Sequence, residues 1–269
     1  MGFQFSDAHT DQYRRDGYCK AEGLFSPDEV KELGAEMDWI IEEWWGEESI
    51  GWRGPWRDHY LPDGQQRETR AVFLGNPQFY SAAWGRVIYQ QSLNNCVRAL
   101  VGPAVQWHHT ILHGKPPERG TPFPMHQDVP YFPHQHHSMI AAIIHFDDAP
   151  IEKGCVRVVP GSFKLGPLEH LKDGGHHLST TEYPVAECTP CPAEAGDVLF
   201  FSYLTIHGSG LNESAEARTT LLVQMRDPED LPIVETHLSR GQGAMLRGVD
   251  PLANHGPGVD SARRLEVAP

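Results

Sequence analysis

The chain has little of what would send it to a membrane, a nucleic acid or an oxidising compartment. Its longest apolar run, MIAAIIHF at 139–146, is far shorter than the roughly 20 residues of a bilayer-crossing helix. Positive charge is scarce: 22 lysines and arginines stand against 36 aspartates and glutamates, a formal charge of −14. Such a surface repels phosphate backbones and anionic lipid, which argues against nucleic acid and membrane partners. It argues less against a small anionic ligand, which needs only a local basic pocket. Cysteine is sparse, five residues in all, and reads as free thiols in a reducing compartment, so a cytoplasmic protein is expected. Residues 1–16 are polar and mixed in charge, which predicts no secretory leader. The final EVAP is not a peroxisomal tripeptide. Nucleophile elbows of the G-x-S-x-G type, P-loops, internal repeats and low-complexity tracts are all missing.

What is present suffices for a core: hydrophobic residues make up 39% and aromatics 10% of 269 positions, a length that suits one large domain. A helix is predicted from Phe25 to Trp45, with Ser26 as N-cap, Pro27 at the first helical position and Glu29 closing a capping box. Val30, Leu33, Met37, Ile40 and Ile41 give it an apolar face. Two shorter helices are expected at about 79–89 and 93–101. Between them and the first helix, residues 46–78 are rich in Gly, Pro, Trp and Arg without a period, which suggests a lid. From Pro103 onward short apolar segments alternate with turn residues, the texture of a sandwich or jelly roll. The expected layout is a single domain over 1–269. It has a helical layer with the lid over about 1–102, a β core over about 103–226 and a C-terminal extension over 227–269.

Candidate chemistry centres on PMHQDVPYF, 124–132. His-x-Asp occurs three times, and position separates the three. His9 and Asp11 fall at the start of a predicted N-terminal helix, where side chains two apart diverge, and His145 and Asp147 sit where a strand runs into a charged turn. His126 and Asp128 follow an irregular loop, and in extended backbone they share a face. His207, at the edge of the apolar strand DVLFF and before a glycine turn, offers a second imidazole. Two histidines and one carboxylate form the facial triad of non-haem Fe(II) oxygenases. Arg218 follows His207 by eleven residues across a turn, placed to clamp a carboxylate. Taken alone it would read better as a surface arginine in a salt bridge; the four residues together favour the metal site.

These residues resemble the phytanoyl-CoA dioxygenase family of Fe(II)/2-oxoglutarate oxygenases. The likeness covers about 111–224 and rests on LHGKPPERG, MHQDVPYFP, KGCVRVVPGSF and GDVLFFSYLTIHGSGLN, with the arginine that follows. It implies a mainly β fold, a double-stranded β-helix with N-terminal helices packed on one sheet. It implies Fe(II) held by His126, Asp128 and His207, with 2-oxoglutarate and O2 as cosubstrates. Arg218 would meet the far carboxylate of 2-oxoglutarate, and Gln127 and Ile111 would line its site. Two departures stand out: a family tryptophan corresponds to Ile144, and a cosubstrate lysine has no clear counterpart, Arg70 being nearest in position. The implied activity is hydroxylation of a small organic metabolite. Alternatives are desaturation, cyclisation or epimerisation on the same cofactors, a catalytically silent metal-binding module, or a cupin-like metalloenzyme without cosubstrate. Asp128 argues against halogenation, since related halogenases carry a small residue there.

Other motifs carry weaker signals. CTPC, Cys188 to Cys191, lacks the second pair that zinc needs, apart from His176 and His177, and reads as structural thiols. Gly208 and Gly210 are expected at positive-φ turn positions. Trp52, Arg53, Trp56, Arg57 and His59 suit either a substrate mouth or a tryptophan-anchored loop. One of His108 and His109 should face the barrel interior, and His134, His136 and His137 follow the metal motif closely enough to touch substrate.

Overall fold

A computed structural model of the chain describes residues 5–44, 72–116 and 122–251. Apart from its end, the expected lid lies outside the described residues, as do Trp52, Arg53, Trp56, Arg57, His59 and Arg70.

Four helices come early: α1 (Asp7–Asp16), α2 (Pro27–Trp44), α3 (Ala82–Ile88) and α4 (Gln91–Val101). The predicted capping box starts α2. The Ser26 N–H donates to Glu29 Oε2 at 2.8 Å, and the Glu29 N–H returns to Ser26 Oγ at 3.4 Å. His9 serves α1 in the same way, with Nδ1 3.1 Å from the Ser6 N–H.

Among the described residues there are eleven strands, most of them in the expected β region: β1 (Tyr18–Ala21), β2 (Val72–Gly75), β3 (Val105–Lys115), β4 (Phe123–His126), β5 (Ile140–His145), β6 (Val156–Val158), β7 (Thr189–Cys191), β8 (Val198–Ser202), β9 (His207–Ser209), β10 (Arg218–Arg226) and β11 (Met245–Arg247). They form two antiparallel sheets. The larger runs β1-β8-β5-β10-β3-β11 with β2 also on β3, and the smaller runs β4-β9-β6-β7. This is the jelly roll that the sequence texture suggests. Strands from outside 103–226 join it, because β1, β2 and β11 are three or four residues long and gain their order from the strands they border.

The large sheet is buried on both faces. Alternate residues of its strands, such as Ile140, Ala142 and Ile144, or Leu221, Val223 and Met225, pack against Leu33, Met37 and Ile40 of α2 and Trp84, Leu93 and Val97 of α3 and α4. Their neighbours Ala141, Ile143, Leu199, Phe201 and Leu222 face Val156, Val158 and Cys191 of the small sheet. A strand covered twice reads as a continuous apolar run instead of an alternation, which is why MIAAIIHF looks uniform. All five cysteines are free and buried, and Cys191 of the CTPC motif lies in β7. Among the described residues no helix is long and apolar enough to cross a membrane.

Gly208 and Gly210 are not at positive φ, contrary to expectation. Gly208 is required by close approach: a Cβ there would lie 2.7 Å from both Met125 Sδ and the Phe123 carbonyl oxygen, where β9 crosses β4. Gly208→Ala should therefore overpack this seam and lower stability by about 1–3 kcal/mol. Urea unfolding checks it, and an unchanged midpoint would mean that the β4–β9 contact yields easily.

Candidate metal centre

β4 and β9 pair so that His126 and His207 are direct cross-strand partners. Their rings lie 4.3 Å apart between centroids. Asp128 is two residues beyond His126, and its N–H donates to the Tyr203 carbonyl at 2.9 Å. Asp128 Oδ1 lies 3.7 Å from His126 Nε2 and 3.6 Å from His207 Nε2. One ligand atom from each of the three falls within 4.8 Å of the others, and among the described residues this is the one group of such donors able to hold a metal.

Each ligand is oriented from behind. His126 Nδ1 lies 2.7 Å from the Pro124 carbonyl and His207 Nδ1 3.0 Å from the Thr205 carbonyl. A carbonyl only accepts, so Nδ1 carries the proton in both rings and each Nε2 presents its lone pair to the shared point. Asp128 Oδ2 accepts from Gln224 Nε2 at 2.7 Å, which leaves Oδ1 for a metal. Burial holds the His126 ring at about 3 and the His207 ring at about 4, far below an ordinary histidine, so both are neutral ligands at physiological pH. The same burial raises the Asp128 carboxyl, against the pull of His126 and Gln224. Two neutral imidazoles and a carboxylate on one side of a point fit a divalent iron ion with open positions opposite.

The triad lies on the wall of a cavity of about 260 Å3 between the two sheets. Ile111 and Arg218 line it. Arg218 is buried, its Nη1 donates to the Gly154 carbonyl at 2.6 Å, and its Nε has no partner. Thr220 Oγ1 and Gln224 Oε1, on the same face of β10, are also buried without partners. Unsatisfied polar atoms around a buried guanidinium suit a small ligand that carries a carboxylate.

Gln127 lies elsewhere. In extended backbone the residue between two inward ligands must point outward. Its side chain donates to the carbonyls of Gly166 at 2.9 Å and Leu204 at 2.7 Å and accepts from the Leu168 N–H at 2.8 Å. Ile144 faces the helices, and its neighbour Ile143 reaches the cavity. His109 lines the cavity, whereas His134, His136 and His137 do not. His145 and Asp147 diverge: the ring lies by the Asp197 carbonyl, and the carboxylate caps Thr219. Sequence reasoning missed His113, Gln224, Ser209, Tyr131 and His237, all lining residues. Counting in twos from Ile111 and Arg218 would have found His113 and Gln224. Tyr131 and His237 arrive on irregular segments that carry no period.

A family model described as Phytanoyl-CoA dioxygenase (PhyH) matches residues 13–220. A probable alpha-ketoglutarate-dependent hypophosphite dioxygenase of Stutzerimonas stutzeri is 25% identical over 236 residues, covering 83% of this chain and 79% of that protein. The peroxisomal phytanoyl-CoA dioxygenase of Bos taurus is 33% identical over 144 residues, covering 49% of this chain and 42% of that protein. Among solved structures, the epimerase SnoN in complex with Fe3+, alpha ketoglutarate and nogalamycin RO superposes with a TM-score of 0.68 at 22% identity, covering 90% of this chain and 98% of that one.

Burial lowers the pKa of ten histidines, His108, His109, His113, His126, His134, His145, His170, His176, His207 and His237. Below about pH 6.5 the unfolded chain then binds more protons at these rings than the folded one does. Asp128 works in the opposite direction, but is one group against ten. The metal-free protein should lose stability as the pH falls from about 6.5 towards the folded-state values. Urea midpoints at about pH 7.5 and about pH 5.5 test this, and equal midpoints would contradict it.

Proposed function

The chain belongs to the phytanoyl-CoA dioxygenase family and is an Fe(II)/2-oxoglutarate-dependent dioxygenase, and from that premise we propose that it hydroxylates a small organic metabolite. The observation that carries this is the coincidence, in one cavity, of the His126–Asp128–His207 donors with a buried arginine whose Nε has no hydrogen-bond partner.

When bound, iron and 2-oxoglutarate supply the O2 activation that couples decarboxylation of the diacid to oxidation of the substrate. The protein's own residues do the rest. The three ligands hold the metal on one side and leave its other positions to the cavity. Arg218, fixed by the Gly154 carbonyl, binds the far carboxylate of 2-oxoglutarate, and Ile111 packs beside it. The other end of the cavity is walled by His109, Tyr131, Phe132 and His237. His237 lies tilted against His109 at 5.5 Å and meets Phe132 edge-on at 5.2 Å, in a left-handed backbone conformation (φ 52°) that a non-glycine residue adopts only where its surroundings hold it. This wall of rings excludes water and suits a compact organic substrate. We assign the enzyme to the cytoplasm, in keeping with five unpaired cysteines.

A different oxidative outcome is the second reading, favoured by the likeness to an epimerase. Turnover under 18O2 separates the two: hydroxylation places one labelled oxygen in the product, whereas epimerisation, desaturation and ring closure place none. Succinate release with iron, ascorbate and 2-oxoglutarate excludes a silent module. Arg218→Ala should raise the 2-oxoglutarate requirement roughly ten- to a hundredfold, as expected for a lost charge-assisted hydrogen bond. An unchanged requirement would favour a cupin-like enzyme that uses no cosubstrate.

A further inference from the structure

LHGKPPERG contains a lysine that the metal site does not use. Lys115 ends β3 and is completely buried. A buried ammonium is costly unless something matches its charge. Among the described residues its partners are neutral: Ser209 Oγ at 2.7 Å, the Gly210 carbonyl, and the face of the Phe123 ring at 5.0 Å. The charged side chain that acts on it most strongly is another cation, Arg218, its cross-strand partner. Burial and this neighbour both push the Lys115 ammonium towards losing its proton. Two cations thus crowd one end of the cavity, an arrangement that an anion would complete.

The hydrogen bond to Ser209 has a fixed direction. With an anion bound beside Arg218 the lysine is an ammonium, which has only donors, so Ser209 Oγ accepts from Lys115. The serine's own proton then points elsewhere, and Ser209 lines the cavity beside Arg218. We propose that Lys115 is a positioning residue for the far carboxylate of 2-oxoglutarate: by donating to Ser209 Oγ, it makes the Ser209 hydroxyl a donor into the cavity next to Arg218. This rests on the reading of the chain as a 2-oxoglutarate enzyme. A purely mechanical role, pinning the β9–β10 turn through Gly210, is the competing explanation.

Two ligands tell these apart. 2-Oxoglutarate carries the far carboxylate, and 2-oxopentanoate has the same carbon chain and metal-chelating end without it. Each is titrated by calorimetry into the anaerobic Fe(II)-loaded enzyme. The wild type should strongly prefer the diacid. Lys115→Met should lose roughly ten- to a hundredfold in affinity for the diacid with little change for the monoacid. Lys115→Arg, which keeps donors and charge, should retain more of the preference. A wild type without preference would overturn the functional reading and this inference together. A wild type that discriminates, with Lys115→Met discriminating equally, would overturn the role of Lys115 alone. If Lys115→Met does not fold by circular dichroism, Lys115→Gln is compared with Lys115→Arg in the same way, and equal preferences overturn the proposal.

Discussion

The pairing of His126 with His207 across β4 and β9 is the constraint on which the site depends. It joins two residues 81 positions apart in the chain, and it does so at the one place in the seam where a glycine lets the strands approach. Once the two Cα atoms are opposed, the carbonyls of Pro124 and Thr205 set both rings in the same tautomer. Asp128 then needs only to continue the extended backbone by two residues to bring its carboxylate to the same point. A metal ion entering this site meets two imidazoles that are already neutral, and three ligands already turned and already buried.

That readiness is unfavourable for the empty protein. Imidazoles that would prefer to ionise below neutral pH are held neutral, and Arg218 is lowered to about 10 by its burial. Lys115 adds a second cation with neutral partners. None of these terms favours folding, and each is relieved by a ligand: the histidines by a metal, the cations by a carboxylate. Binding that is specific to the folded state raises stability by mass action, so the same residues that weaken the empty fold tie its stability to its cofactors. The surrounding structure can carry this load because the large sheet is packed on both faces, with the helices on one side and the small sheet on the other.

Much of this was legible in the sequence, and the limits have physical causes. The capping box of α2, the strand-rich region after Pro103 and the facial triad all depend on local patterns or on residue types that few other roles explain. Arg218 followed from its place at the start of a returning strand. Gln127 and Ile144 were placed by resemblance without counting faces. Strand alternation turns Gln127 to the 166–168 loop and Ile144 to the helices, and gives the cavity Ile143 instead. Gly208 was assigned to a turn because glycine usually signals one, whereas here it marks a close crossing, which depends on a distant strand and leaves no local trace. Lys115 escaped notice for a related reason: its meaning comes from Ser209, which is near only in the fold.

The cavity's two ends are built differently, and this bears on how one scaffold serves several oxidations. The end that holds the triad and Arg218 is made from β3, β4, β9 and β10, where backbone pairing fixes His126 opposite His207 and Arg218 opposite Lys115. A shift of one residue there would turn the ligands away from one another. The opposite end depends on Tyr131, Phe132 and His237, which stand on irregular segments joined by a few contacts, such as the Ile233 N–H to the Pro133 carbonyl and the Thr236 hydroxyl to the Tyr131 carbonyl. Loops tolerate exchange where paired strands do not. Under the proposed reading, substitution at His237 would therefore reshape the substrate wall while leaving the triad intact, because the sheet holds the triad and irregular segments hold the wall.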